Sequence, residues 1–561
     1  MKAFYLSIFF ILIGIFSYGQ EICSSTFAGD YFNINALNAR LNSVGDLFTD
    51  VDGLNGLEVF NAGDSTTIST FFQAGLVIGA LDDTGEERVA WRTYYYDGAD
   101  SDYSSGHLVG DIDDTLRCAR WDKLWRVTSV EIYLHLTEIE SNGEPLIRRK
   151  AIYDYPATGN PYFTNYNDFL LPENVELAPF YDANGDAIYN PDDGDYPLPT
   201  NVHPTAYPDL LLWSVYNTTA PVWRNFTFGK RLALEIQQTT FGYHCEQNKL
   251  LDKTLFTQHR VINRSTQTWD SLFVGNRFDG DIGNYADDCL GTAADLHTVY
   301  GYNCDEKDGD LHTPLLNVIP NGNIPVQAIT FLNYDLDRTR AFWSSGLGIY
   351  SAQYQEDDRA DHLYYSLNGN WSDNTPLTYG GYGYQTESDM TNFIFPDPPY
   401  DEVGWSMPGN YPPSADLRGM MSHYVGDFLP GAEFQLDQAW SYHRGENGNH
   451  LSNIRLMYEQ VPLIQKWYDN GFANLPCLIY YIQNIDNQLV INIFPNPTTG
   501  KIQLDLNDLK IKNLRVLNSY GANILTTNQS EIDLATQPAG VYFIIIEMEN
   551  GQFLQRKILK L

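Results

Sequence analysis

The clearest chemical signal in this chain of 561 residues lies between Asp182 and Asp193. Asp182, Asn184, Asp186, the Ile188 carbonyl and Asp193 stand at positions 1, 3, 5, 7 and 12 of one stretch. That spacing turns alternate oxygens inward onto one hard cation, which is how calcium is held. Without a cation, the five aspartates between Asp182 and Asp195 repel one another. Each close pair costs about 1 kcal/mol in water, and more where it is partly buried. Asp279, Asp281, Asp287 and Asp288 form a second, weaker calcium candidate, in which Gly280 and Gly283 let main-chain carbonyls fold toward a metal. A third acidic run, Asp305 to Asp310, reads as an exposed turn. The plain alternative for all three is a solvated acidic loop.

The first stretch resembles the calcium loops of EF-hand and dockerin-like modules. It departs from them at position 6, which is Ala187 rather than glycine. Pro191, Gly194 and Pro197 also argue against an exiting helix, so the expectation is a braced loop.

Catalytic motifs are missing. The chain has no His-Glu-x-x-His helix, no Gly-x-Ser-x-Gly elbow and no Gly-x-x-x-x-Gly-Lys phosphate loop. His244 and Cys245 are adjacent, and neighbours on a strand point to opposite faces, which disfavours a nucleophile–base pair. Nothing implies an organic cofactor. Two function classes stay open: a calcium-stabilised surface protein for binding, adhesion or surface structure, and a carbohydrate-active or other hydrolase with dispersed carboxylates.

The elements that must hold these loops are mainly strands. Expected strands are Thr70–Ile78, Arg88–Tyr95, Leu211–Tyr216, Leu232–Phe241, Leu255–Asn263, Ser271–Phe278 and Val326–Asn333. Asn35 to Leu41 reads as a short helix. Thr128 to Glu131 has capping-box spacing ahead of a segment that also alternates like a strand. Ser452 to Tyr468 reads as a helix that Pro462 kinks or divides. Gly380 to Tyr384 and Phe395 to Tyr400 are aromatic loops suited to stacking on sugar rings, or to packing. The fold class is mainly β: a large β-sandwich-like body with a few short helices and a small immunoglobulin-like C-terminal sandwich.

The formal net charge is -37, and residues 491–561 hold seven basic and six acidic side chains, so the acid lies in the body. Such a body repels nucleic acid and anionic membrane surfaces. Met1 to Gly19 has the pattern of a signal peptide, and no later segment is apolar enough for a transmembrane helix. The body then runs over 20–489, with room for two lobes at 20–205 and 206–489, and the tail over 490–561. Of Cys23, Cys118, Cys245, Cys289, Cys304 and Cys477, the pair expected to bond is Cys289 with Cys304.

The tail opens with Ile493-Phe494-Pro495-Asn496-Pro497-Thr498-Thr499-Gly500, continues to Gly540-Val541-Tyr542, and closes on a basic strand to Leu561. It resembles the type A C-terminal sorting domain of type IX secretion in Bacteroidota. The resemblance implies type IX machinery as a partner of residues 491–561, passage through the periplasm to the outer surface or medium, and attachment to surface lipopolysaccharide. Ala39 to Phe48, Asp182 to Pro197, Asn263 to Ser265 and Asp279 to Gly291 look like a widespread group of secreted proteins with such tails. That likeness transfers no catalytic residues, and it leaves a glycan or a protein as the ligand to be found.

Overall fold

The computed structural model describes residues 27–561 apart from 50–55, 62–65, 93–100, 110–116, 221–226, 228–230, 310–318, 320–321, 344–358, 408–416, 476–491, 506–509, 519–522 and 549–552, and the single residues 143, 174, 246, 386, 402 and 474. The signal segment, Cys23, Cys477, Asp310 and most of the link from Phe472 to Leu489 lie outside the described residues.

Two large antiparallel sheets face each other. One holds ten described strands, in the order Arg338–Trp343, Leu417–Phe428, Trp269–Asp279, Gln73–Leu81, Asp46–Phe48, Leu37–Asn42, Leu57–Asn61 and Thr66–Thr70, with Gly29–Phe32 and Glu87–Ala90 paired at the side. The other holds nine, in the order Asp288–Ala293, Thr298–Asn303, Val326–Phe331, Glu433–His443, Thr254–Asn263, Leu234–Gly242, Leu210–Asn217 and Ser104–Ser105, with Trp125–Thr128 beside Leu210–Asn217. Both sheets take strands from either side of residue 205.

Period-two alternation explains why these strands are apolar on both faces. Leu76 and Ile78 enter the core between the sheets, while Val77 faces the helix Ala360–Leu367 that covers the ten-stranded sheet. Leu210 and Leu212 enter the same central core, and Leu211 and Trp213 face a second core under residues 121–207. A strand with a core on each side needs a near-continuous apolar run, and the sequence supplies it. Phe48 of one sheet, and Phe71 in the turn between its strands Thr66–Thr70 and Gln73–Leu81, meet Trp440 of the other edge-on, at 5.1 and 5.4 Å between ring centroids.

Asn35 to Leu41 is not a helix. Leu37–Asn42 is a strand paired on its two sides with Gly29–Phe32 and Leu57–Asn61. Leu37, Ala39 and Leu41 all turn into the central core, and this burial overrides the helical propensity of the segment. Thr128 does start a helix, Ser129–Asn142: its amide and hydroxyl both donate to Glu131 Oε2 at 2.9 Å. The helix His450–Asp469 runs through Pro462 undivided, capped by reciprocal bonds between Asn449 and Ser452.

In the tail, a three-stranded sheet (Asn492–Phe494, Lys501–Asp505, Glu531–Asp533) and a four-stranded sheet (Asn523–Thr527, Ile511–Asn518, Gly540–Met548, Phe553–Lys560) enclose Ile502, Leu504, Val516, Ile532, Ile544 and Ile558. This is a small β-sandwich with its own core.

Candidate functional site

The loop from Asp182 to Asp195 is the tip of a hairpin closed by Phe180–Tyr181 against Tyr196–Pro197. Asp182 accepts from the Gly185 amide at 2.7 Å and the Ala187 amide at 2.8 Å. Those amides, Ala187 foremost, hold its carboxyl below the usual range. Asn184 accepts from Asp186 N at 3.0 Å, and Asp186 accepts from Ile188 N at 2.8 Å. So the structure gathers Asp182, Asn184, Asp186 and Ile188 on one exposed turn. Asp193 instead accepts from Asn190 Nδ2 at 2.7 Å. Ala187 takes the left-handed conformation, φ 63°, where glycine would be free of strain. Asp195 was not among the expected ligands. It is fully buried and ties the loop ends together by accepting from Ala183 N and Asn190 N, both at 2.8 Å.

The second and third acidic runs are one cluster. Strands Asp288–Ala293 and Thr298–Asn303 form a hairpin that sets Asp288 directly opposite Asn303. The Cys289–Cys304 disulfide staples its open end, with Cα atoms 5.2 Å apart. Asp287 Oδ2 accepts from Gly309 N at 2.8 Å and Asp288 Oδ2 from Ile282 N at 2.8 Å. Asp308 accepts from Asn284 N at 2.9 Å and from the Ile319 amide. Asp279 lies against Arg418 at 3.3 Å, and Asp281 sits on the same loop. Burial, then the neighbouring charges of Asp287, Asp308 and Asp279, pushes the Asp288 carboxyl well up, and burial raises Asp308 to about 6. Sequence spacing missed Asn303, which only the hairpin brings to Asp288, and the reading of Asp305 to Asp310 as an exposed turn fails at Asp308, which the fold buries. Among the described residues, no three His, Cys, Asp or Glu side chains gather closely enough to hold a metal by themselves.

A groove of about 480 Å³ opens elsewhere, between the C-terminal half of the helix His450–Asp469 and the turns at 294–297 and 332–335. Tyr334 stands on its wall, 37% exposed. Its ring is backed by Phe434, 4.7 Å between centroids, and by His423 at 4.6 Å. Across the wall, His297 Nδ1 accepts from Leu336 N at 3.3 Å, which puts the ring proton on Nε2, 3.6 Å from Asp335. Asp295, Asn333, Gln465, Lys466 and Asp469 complete the polar lining. Gln465 Nε2 is held by Leu332 O at 2.9 Å and Asp469 at 2.8 Å. These residues are scattered over 295–469, and no sequence motif joins them.

The two aromatic loops are largely occupied with packing. Trp371 Nε1 donates to Gly383 O at 2.8 Å, and Trp405 Nε1 donates to Gly381 O at 3.0 Å. Cys245 is disulfide-bonded and therefore no nucleophile, and His244 is engaged by Asp252 at 2.9 Å.

Residues 492–560 match the family of secretion system C-terminal sorting domains. The tail is a type IX sorting domain, and the chain is exported to the cell surface or secreted. No curated protein matches the sequence. Among solved structures, the chain has a distant likeness to a polysaccharide lyase, with 6% identity and a TM-score of 0.20, over 71% of this chain and 42% of that one. Among the described residues, no helix is long and apolar enough to cross a membrane.

Proposed function

We propose that the body is a surface-exposed binding protein whose groove takes a neutral glycan, and that the Asp182–Asp193 loop is braced by calcium. The observation that carries the first part is Tyr334, an exposed ring stacked on Phe434 and packed against the tilted ring of His423, beside a mixed amide and carboxylate lining. A fixed aromatic face offers apolar area at little entropic cost, and amides and carboxylates accept sugar hydroxyls. Asp295, Asp335 and Asp469 outnumber Lys466 and His297 in the groove, so uronic, sulfated and phosphorylated glycans are disfavoured. The groove is open and its carboxylates stand at an exposed rim, which suits retention of a chain better than cleavage of a bond.

The test is calorimetric titration of the exported protein with neutral oligosaccharides, repeated with Tyr334→Ala. Loss of the ring should weaken binding about tenfold, which is 1.4 kcal/mol. No binding to any neutral glycan, or equal binding by the variant, would sink the reading. For the loop, Asp182→Ala with Asp186→Ala should lower the melting temperature more in calcium than in chelator, where only the amide bonds of the two carboxylates are lost. Equal losses in both media would exclude a metal there.

A further inference from the structure

We infer a second, buried calcium site between Asp288 and Asn303, with Asp287 and Asp308 beside it. It stands or falls separately from the groove and from the Asp182–Asp193 loop. The two residues face each other across the ladder, and directly opposed residues project to the same face of a sheet. Asp288 is 7% exposed and Asn303 fully buried. Asp288 Oδ1 and Asn303 Oδ1 are both acceptors, and neither has a hydrogen-bond partner.

The other atoms of these side chains are already spoken for. Asn303 Nδ2 donates to Asp305 O at 3.1 Å and Lys307 O at 2.9 Å, which fixes which end of the amide is the oxygen. Asp288 Oδ2 is taken by Ile282 N. Two buried acceptors with no donor between them are costly, and the charged one especially so. A bound cation relieves both at once.

The chemistry around them favours a divalent, oxygen-seeking ion. Asp287, Asp308 and Asp279 all act on Asp288 electrostatically. A proton shared from Asp288 to Asn303 would satisfy the two oxygens but add no charge to balance Asp287 and Asp308 beside them. Calcium accepts carboxylates together with amide and main-chain carbonyls, so it does not need three carboxylates on one point. The hairpin staple at Cys289–Cys304 and the loop carrying Gly283 hold the walls. A β-carbon at Gly283 would come within 2.1 Å of Asp308 Oδ2, so that loop is pressed against the cluster.

Asp288→Asn separates the two accounts, because its new N–H can donate to Asn303 Oδ1 with no ion present. The full exported chain is loaded with calcium, and bound calcium per chain is counted by native mass spectrometry for wild type, Asp288→Asn and Asp182→Ala/Asp186→Ala. Thermal unfolding in chelator checks that each variant folds. The expected result is one calcium fewer in Asp288→Asn than in wild type, with a melting temperature in chelator equal to or above that of wild type. Retention of the full calcium count by Asp288→Asn, or no bound calcium in the wild type, overturns the site. Loss confined to the Asp182/Asp186 variant overturns it while leaving the first loop standing.

Discussion

Acidification from pH 7 to pH 4.5 should cost the fold about 2.5 kcal/mol through His443 alone. His443 is fully buried at the end of strand Glu433–His443. Its Nδ1 lies 2.7 Å from Gln460 Oε1 and its Nε2 lies 2.9 Å from Ser441 Oγ. A neutral ring satisfies both, with Nδ1–H donating to the amide oxygen and Nε2 accepting from the hydroxyl. Burial opposes the charged form more than Gln460 favours it, and the pKa falls from 6.5 to about 4. The unfolded chain therefore takes up this proton near pH 6.5, and the folded chain only near pH 4. Stability from this group is complete above pH 6.5 and is lost as pH falls toward 4. At pH 4.5 the difference is RT ln[(1 + 10²)/(1 + 10⁻⁰·⁵)], the about 2.5 kcal/mol given above. The assay is urea unfolding of the full chain at pH 7 and pH 4.5 at fixed calcium, for wild type and His443→Gln. Glutamine cannot protonate, so the variant lacks this part of the slope whatever its starting stability. Other acid-sensitive groups, including His135 and His259, act equally on both proteins and cancel. Parallel pH profiles for the two proteins would refute the assignment.

Removing residues 492–561 should leave the body in the periplasm, seen by fractionation; normal export of the truncated chain would contradict the role of the tail. Trp440→Ala removes the ring that Phe48 and Phe71 both meet, and should cost about 3–5 kcal/mol in urea unfolding, as large core deletions do. Ala187→Gly relieves a left-handed residue at the tip of the Asp182–Asp195 hairpin. The variant should keep or raise the melting temperature, because the removed strain of about 1 kcal/mol competes with added chain entropy of similar size. A large loss there would mean that the Ala187 methyl has a packing role.

Much of the framework was legible because strands buried on both sides leave a local trace. Leu210–Asn217, Thr254–Asn263 and Trp269–Asp279 were placed to within two residues by apolar content and turn residues. The Cys289–Cys304 bond was legible too, since a hairpin joins the two cysteines. Asn35 to Leu41 was misread because alanine, leucine and asparagine there fit a helix locally, and only pairing on both sides decides for a strand. Pro462 removes one helical hydrogen bond, but Ile454, Met457, Val461 and Ile464 bury one continuous stripe on both sides of it. That packing keeps the helix whole.

The site was less legible, for a reason that the acidic loops make plain. Spacing such as Asp182, Asn184, Asp186 reports the shape of one loop, and there the carboxylates already accept main-chain amides on an exposed turn. The demand for a cation at that loop is modest, because water and amides share the charge. Asp288 has no such spacing, yet it is buried opposite Asn303 by a hairpin that only the fold reveals. Its need for a compensating positive charge comes from lost solvation, which scales with burial and not with motif. The groove is equally invisible to motifs: Tyr334 is one tyrosine among 39 in the sequence, and only the fold sets it on a wall with Phe434 and His423 packed against its ring. Burial, which only the fold reveals, therefore sets Asp288 ahead of the regularly spaced Asp182 and Asp186 as the carboxylate that most lacks water to balance it.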